Sequence, residues 1–108
     1  MSKNPKKSKN NKYDNLSRPQ AEFDFHNLGI LTPRDIQKLA DQFLDKCINR
    51  GLSKIIFITG KGIHSRNGSP VVKPILKNYL STLGTVERVY EARRDRGGEG
   101  ALEVILKT

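Results

Sequence analysis

The sequence predicts a small two-layer α/β sandwich with element order β-α-β-α-β-β and a four-stranded mixed sheet. Two segments with helical periodicity alternate with short apolar segments typical of strands, and the last two strand segments follow each other without a helix between them. The helices predict that the first three strands are parallel, with right-handed crossovers. The hairpin-type connection predicts an antiparallel last pair, and 108 residues suffice for one domain.

The first half of the predicted domain contains a strand, a helix and a second strand. Apolar and polar side chains alternate over residues 22–26, which predicts a strand. The first helix starts where Thr32 can cap it, with Pro33 at the first helical position and Asp35 completing a capping box. Its apolar residues continue at helical spacing as far as Gly51. The continuous apolar run at residues 55–58 predicts a central strand buried on both faces.

The second half contains the second helix and the last two strands. Ser69 and Pro70 precede an apolar helical face that ends at Gly84. Because Pro74 lacks an N–H group, we expect the regular helix to begin only near this residue. Residues 86–91 and 101–106 are predicted strands, separated by a polar, glycine-rich loop.

The N-terminal segment differs in composition from the rest of the chain. Residues 1–18 hold six basic residues against Asp14, and few large apolar side chains. Such a segment buries too little surface to offset the entropy lost on ordering. We therefore predict a disordered basic arm over 1–18 and a folded domain over 19–108. The arm is either a solubility tail or an electrostatic tether to phosphates.

The charge of the chain indicates a polyanionic partner. The 20 Lys and Arg against 11 Asp and Glu give a formal net charge of +9. Residues 46–86 contain seven basic residues and no acidic one, which predicts a basic face. Nucleic acid is the first expected partner, ahead of an anionic membrane surface.

The cysteine content and the hydropathy exclude several classes of protein. Cys47 is the single cysteine and lies on the apolar face of the first helix, which excludes an intrachain disulfide and a cysteine-based zinc site. No apolar run reaches the roughly 18 residues of a membrane span. The basic N-terminus has no apolar stretch behind it and is therefore not a secretory signal. We expect a soluble, cytoplasmic protein.

Asp24 and His26 form the first candidate site. Residues two apart on a strand point to the same face, and α/β sheets usually bind ligands beyond the carboxyl ends of their strands. A carboxylate beside an imidazole favours its charged form or fixes the tautomer of the neutral ring, which suits proton transfer or phosphate binding. The alternative is a purely structural Asp–His pair.

The second candidate site is the loop that follows the buried strand, with the sequence TGKG at residues 59–62. Glycines at positions 60 and 62 allow a ligand to approach the backbone N–H groups, and Lys61 adds a positive charge for a phosphate. The Walker spacing is absent, so the motif does not support nucleotide triphosphate binding. The alternative is an ordinary turn. Three further candidates lie in the acid-free segment: the titratable His64, and Arg66 and Lys73 as nucleic-acid contacts.

The third candidate site is the loop before the last strand. Its arginines and glycines are typical of a flexible phosphate clamp, and the alternative is a mobile hairpin tip whose charges cancel. The candidate residues are Arg93, Arg94, Arg96, Gly97 and Gly98.

These motifs, in this order, resemble those of the small MutS-related (Smr) domain family. The segments are FDFH at 23–26, ITGKG at 58–62 with His64, and GGEGALEV at 97–104. The family motifs read L-D-L-H-G and [HT]-G-x-G, with a G-G-x-G-type turn before the last strand. The resemblance covers about Glu22 to Leu106; Asn27 replaces the usual glycine of the first motif. It implies the predicted sandwich, nucleic-acid binding and, in several members, endonuclease activity on DNA or RNA, including messenger RNA at stalled ribosomes.

The resulting hypothesis is a stand-alone Smr-type endonuclease, with RNA ahead of DNA as substrate. The amides of residues 60–62 and the Lys61 ammonium would hold the scissile phosphate. His26, oriented by Asp24, would be one proton-transfer group and His64 the other. Metal-free attack by the RNA 2′-hydroxyl is one mechanism; the other uses a divalent metal, Mg²⁺ or Mn²⁺, on Asp24. We expect a monomer with RNA or DNA, and the ribosome, as partners; the alternative is a non-catalytic RNA- or ribosome-binding module.

Overall fold

The fold consists of four strands and two helices. The computed structural model describes residues 18–26, 28–29, 31–60, 72–92 and 100–107. Within these ranges the elements are β1 (Ala21–Asp24), α1 (Pro33–Asn49), β2 (Lys54–Ile58), α2 (Val72–Leu80), β3 (Val86–Glu91) and β4 (Ala101–Leu106). This order confirms the predicted β-α-β-α-β-β arrangement.

The sheet has the strand order β1-β2-β4-β3. β1 pairs with β2 in parallel, with Phe23 opposite Phe57. β4 lies antiparallel between β2 and β3, and its Glu103 is opposite Ile56 on one side and Tyr90 on the other. β1, β2 and β3 therefore run in the same direction, which confirms the mixed sheet. The carboxyl ends of these three strands and the start of β4 lie at one edge of the sheet, which we call the carboxyl edge.

The start of α1 agrees with its sequence signals. The Thr32 side-chain oxygen accepts a hydrogen bond from the Asp35 backbone N–H (3.1 Å), and the Asp35 carboxylate accepts one from the Thr32 N–H (3.0 Å). The backbone hydrogen bond from Thr32 lowers the pKa of the Asp35 carboxyl group. The helix ends at Asn49, and Gly51 follows in a left-handed conformation (φ 72°), which suits glycine.

Three boundaries differ from the sequence prediction. β1 ends at Asp24 rather than at His26, because the chain turns there and the Leu28 N–H bonds to the Phe25 carbonyl (3.2 Å). α2 includes Val72, so Pro74 lies in the first turn of the described helix, where a missing N–H costs little. α2 ends at Leu80, before Gly84, because the N–H groups of Thr82 and Leu83 bond three residues back rather than four, to Tyr79 and Leu80.

The main core lies between the two helices and one face of the sheet. Ile55 and Phe57 of β2 point into it, together with buried residues of both helices and of β4. Four phenylalanine rings pack with centroids 4.9–6.3 Å apart: Phe23, Phe25, Phe43 and Phe57. Cys47 is buried in this core, and desolvation raises the pKa of its thiol, which is consistent with a packing role.

The other face of the sheet contains a buried ion pair. Lys54 Nζ lies 3.2 Å from Glu103 Oε1, with side-chain exposures of 5% and 0%. The Tyr90 hydroxyl donates to the same carboxylate oxygen (3.3 Å). Ile56 forms a small apolar cluster beside this pair, with Ala92 and Ala101. β2 is therefore buried on both faces, as predicted, but one of its buried residues is charged.

Candidate functional site

Backbone hydrogen bonds join three chain segments at the carboxyl edge. The Phe25 N–H donates to the Ile58 carbonyl (2.8 Å), which ties the segment after β1 to the end of β2. The N–H groups of Thr59 and Gly60 both donate to the Gly100 carbonyl, at 2.8 and 3.1 Å. The described parts of the first two sequence motifs and the residue before β4 therefore lie side by side.

His26 is exposed and lies against the backbone of Gly60. A Cβ atom built on Gly60 would lie 3.3 Å from His26 Cδ2, closer than most such contacts. Gly60 also has φ 75°, a left-handed conformation that other residues rarely adopt. Glycine at position 60 thus serves both the backbone turn and the approach of the imidazole.

The carboxylate of Asp24 acts on the backbone of His26. Its Oδ1 accepts a hydrogen bond from the His26 N–H at 2.6 Å. Such Asx-type bonds stabilise a turn two residues further along the chain. We expected the carboxylate to orient the imidazole directly; in this structure it holds the main chain from which the imidazole projects.

The backbone N–H group of Gly60 has a different partner from the one predicted. Its amide was expected to bind phosphate together with those of residues 61 and 62. The N–H already donates to the Gly100 carbonyl within the site, so it stabilises the loop itself. The phosphate-binding hypothesis therefore depends on the amides of Lys61 and Gly62.

Thr59 is the first residue of the predicted TGKG motif, but the sequence alone assigned no role to its side chain. Its hydroxyl is part-buried, donates to the Gly60 carbonyl (2.8 Å) and lies 3.3 Å from the Gly100 carbonyl. These contacts help to join the Gly60 segment, which the His26 imidazole contacts, to the Gly100 segment. The available signal was a small hydroxyl residue between a buried strand and a glycine, a position where side-chain hydrogen bonds to nearby backbone are common.

The sequence of the domain matches a known domain family. The chain matches the family model of the Smr domain over residues 24–107. The protein belongs to the Smr domain family. The Smr family is associated with nucleic acids and with nuclease activity. The match begins at Asp24, within the first motif, and includes the other two motifs completely.

Relatives of known structure share the Smr fold. The crystal structure of the Smr domain of Thermus thermophilus MutS2 superposes with a TM-score of 0.67 and 25% identity, covering 82% of this chain and 99% of that one. YdaL, a stand-alone small MutS-related protein from Escherichia coli, gives a TM-score of 0.69 and 23% identity, over 83% and 67% of the two chains. An uncharacterized protein from Treponema pallidum (strain Nichols) is 32% identical over 89 residues. The present chain spans 42% of that protein.

The acid-free segment of this Smr protein does not form a uniformly basic face. Lys54 is buried against Glu103, and both Lys73 and Lys77 pair with Glu91. These acidic partners come from the last part of the chain, so the charge of the segment alone overestimates the surface charge. Lys46 and Arg50 are exposed near the end of α1, which leads to the start of β2 at the opposite edge of the sheet.

Several predicted site residues of the Smr domain lie outside the described residues. These are Lys61, Gly62, His64, Arg66, Arg93, Arg94, Arg96, Gly97 and Gly98. The described ends of the two connections that contain them, Gly60 and Gly100, are in contact at the carboxyl edge. Their roles stay predictions.

The described residues do not form a metal site. No group of three or more His, Cys, Asp or Glu side chains that could hold a metal ion occurs among them. Asp24 and His26 offer one carboxylate and one imidazole, and one Asp24 oxygen is engaged by the backbone. Because Mg²⁺ is usually bound by more than one oxygen ligand, this set fits the ion poorly. Within the same residues, no helix is long and apolar enough to cross a membrane.

Proposed function

We propose that this Smr protein is an endonuclease that cleaves RNA, and less readily DNA, at the carboxyl edge. The observation that carries the proposal is the contact between the exposed His26 imidazole and the left-handed turn at Gly60. This contact places an imidazole, a side chain that can donate or accept a proton in catalysis, beside the loop that leads into Lys61 and Gly62. The nuclease activity associated with the family supports the same assignment.

The proposed reaction on RNA is attack by the 2′-hydroxyl on the adjacent phosphorus. A base removes the hydroxyl proton as the O2′–P bond forms. An acid delivers a proton to the 5′-oxygen as the P–O5′ bond breaks. His26 takes one of these roles and His64 is proposed for the other, which balances the protons without an external reactant.

The phosphate is proposed to bind to the loop after Gly60. The amides of Lys61 and Gly62 and the Lys61 ammonium stabilise the charge that develops on the phosphate oxygens. The hydrogen bonds from Thr59 and Gly60 to the Gly100 carbonyl support this role, because they fix the backbone from which the loop departs. A preorganised loop lowers the energetic cost of forming such a site.

The test is incubation of the protein with structured RNA and supercoiled DNA, with and without EDTA. We expect RNA cleavage that persists in EDTA. His26→Ala should lower the rate by about 10² to 10⁴, with RNA affinity within a few-fold, because dispersed cations supply most of the affinity. His64→Ala tests the second proton-transfer role.

Two results would contradict the proposal. His26→Ala cleaving at the wild-type rate would remove His26 from the mechanism. Salt-dependent binding without cleavage of any nucleic acid by the wild type would favour the non-catalytic RNA- or ribosome-binding module.

We also propose that residues 1–18 are a basic arm that adds phosphate contacts to the domain over 19–108. Its six basic residues against one acid support this role. Deletion of the arm should leave the thermal midpoint nearly unchanged and should reduce the salt dependence of RNA binding, since fewer counterions are released. A large drop in the midpoint would show that the arm packs on the domain. A monomer and a ribosomal partner stay predictions.

A further inference from the structure

Two lysines of α2 hold one carboxylate of β3. Lys73 Nζ pairs with Glu91 Oε1, and Lys77 Nζ lies 3.9 Å from Glu91 Oε2. The Lys73 side chain is 13% exposed in this arrangement, whereas Lys77 and Glu91 are 47% and 49% exposed. Each carboxylate oxygen thus faces a different ammonium group, and the cluster remains open to solvent on one side.

The chemistry of this cluster fits a phosphodiester. A phosphodiester carries the same single negative charge as a carboxylate and also presents two oxygens that share it. Lysine is a common phosphate ligand and acts as a point charge. The pair formed by Lys73 and Lys77 is therefore an anion site that an internal carboxylate occupies.

The cluster lies at the same edge of the sheet as His26. Glu91 ends β3, and β1, β2 and β3 run in the same direction. With the strand order β1-β2-β4-β3, β3 is three strand spacings from β1, or roughly 14 Å at about 4.8 Å each. A nucleic-acid strand that passes along this edge from His26 would bring another of its phosphates to the two lysines.

We propose that Lys73 and Lys77 form a second phosphate site for the nucleic acid, which Glu91 occupies in the unbound protein. The proposal rests on the proposed nucleic-acid function and extends it to a second contact. Binding requires that a phosphate displaces the Glu91 carboxylate. Lys77 and Glu91 are about half exposed, so their ion pair is weak, and a phosphate that replaces the carboxylate would keep the more buried Lys73 ammonium paired with an anion. In the unbound protein, Glu91 therefore lowers the affinity for any polyanion that uses the site.

The test compares Glu91→Gln with Glu87→Gln. Glu87 is exposed on the same strand, so both variants raise the net charge by one. The probe is a 2′-O-methyl RNA oligonucleotide, which cannot undergo attack by a 2′-hydroxyl. We expect Glu91→Gln to bind several-fold more tightly than Glu87→Gln, because only the former opens the site. The slope of the logarithm of its binding constant against the logarithm of the salt concentration should be steeper by about one, because one more phosphate is bound.

A second comparison assigns the effect to the lysines. In the Lys73→Gln/Lys77→Gln background, Glu91→Gln and Glu87→Gln should bind equally. The proposal is wrong if the two glutamate variants bind equally in the otherwise wild-type protein, or if the difference persists without the lysines. Tighter binding by Glu91→Gln without cleavage by the wild type would support the phosphate site and contradict the nuclease. Absence of binding by every variant would contradict both.

Discussion

The His26 imidazole packs against Gly60, with Cδ2 only 3.3 Å from the position that a β-carbon on residue 60 would take. Gly60 is also left-handed, with φ 75°. Glycine at position 60 therefore meets two separate requirements: the backbone is left-handed, and the adjacent imidazole leaves little room for a side chain. A pair of variants can separate them, because Gly51 is left-handed at φ 72° with nothing within 4 Å of its Cβ position.

Gly60→Ala should lose activity, whereas Gly51→Ala should not. Each alanine must adopt a left-handed conformation, which costs about 1 to 2 kcal/mol, so both variants should be destabilised to a similar extent. Only the new methyl group at position 60 meets the imidazole and moves it. Thermal unfolding and RNA cleavage rates measure the two effects. Equal activity of the two variants would show that the His26 contact does not matter for cleavage.

Thr59→Val should weaken the site more than Thr59→Ser. Valine keeps the shape of threonine but removes the hydroxyl that donates to the Gly60 carbonyl, and serine retains the donor. Loss of a part-buried hydrogen bond costs about 1 to 2 kcal/mol of the free energy of unfolding. Chemical denaturation and cleavage rates should both rank wild type and Thr59→Ser above Thr59→Val. If Thr59→Val matches the serine variant in both, the hydroxyl does not support the loop.

Glu103→Gln should strongly destabilise the fold. The change removes the carboxylate charge that faces Lys54 in a buried position, and breaking a buried pair typically costs about 3 to 5 kcal/mol. Replacing both members, as in Lys54→Met/Glu103→Leu, should recover much of the loss, because no buried charge of this pair is then left. Denaturant unfolding measures the free energy. Glu22→Gln, at an exposed site on β1, is the control and should change it by less than about 0.5 kcal/mol.

A hydrogen bond between the two helices should make the free energy of unfolding depend on pH in the alkaline range. The Tyr79 hydroxyl donates to Asp41 Oδ1 at 2.6 Å, and this hydrogen bond, with a smaller effect of desolvation, raises the pKa of Tyr79 to about 12 from 10.0. The folded state therefore holds the phenol proton more tightly than the unfolded state. The resulting stabilisation is complete below pH 10 and is lost as the pH rises to about 12.

Tyr79→Phe isolates this contribution. The difference in unfolding free energy between wild type and variant should be constant up to pH 9 and should shrink towards pH 12. Lysine titration affects both proteins and cancels in the difference. A difference that stays constant to pH 12 would show that Tyr79 does not titrate with a raised pKa.

Local sequence signals and the direction of the strands were enough to predict the fold. They were also enough to predict that the described parts of the motifs lie together at the carboxyl edge. The capping box at the start of α1 involves only Thr32 and Asp35, which are close in the chain, so the local sequence is sufficient to predict it. Parallel strands bring the ends of β1 and β2 together, and the hairpin returns Gly100 to the same edge. The sequence order of the motifs therefore implied their proximity.

The charge pairings were not predictable in the same way. Lys54 and Glu103 lie far apart along the chain, so no local sequence signal indicates that they pair. The pairing of Lys73 with Glu91 depends on how α2 packs on β3. Counting charges along residues 46–86 therefore predicted a basic face where the fold places acids beside three of the lysines. The hydrogen bond from the His26 amide to Asp24 was missed because alternation suggested that the strand continued through His26.

The position of β4 affects the order in which the domain can form. β4 is the last of the six elements along the chain, yet it lies between β2 and β3 in the sheet. During synthesis, the elements from β1 to α2 can emerge and collapse while β2 and β3 still have no strand between them. The pairings of β4 with β2 and β3, and the Gly100 contacts with Thr59 and Gly60, can therefore form only after β4 has been made. A nascent chain that stalls before β4 would carry His26, Thr59 and Gly60 without the Gly100 carbonyl that accepts hydrogen bonds from Thr59 and Gly60, so the carboxyl edge is complete only in the full fold.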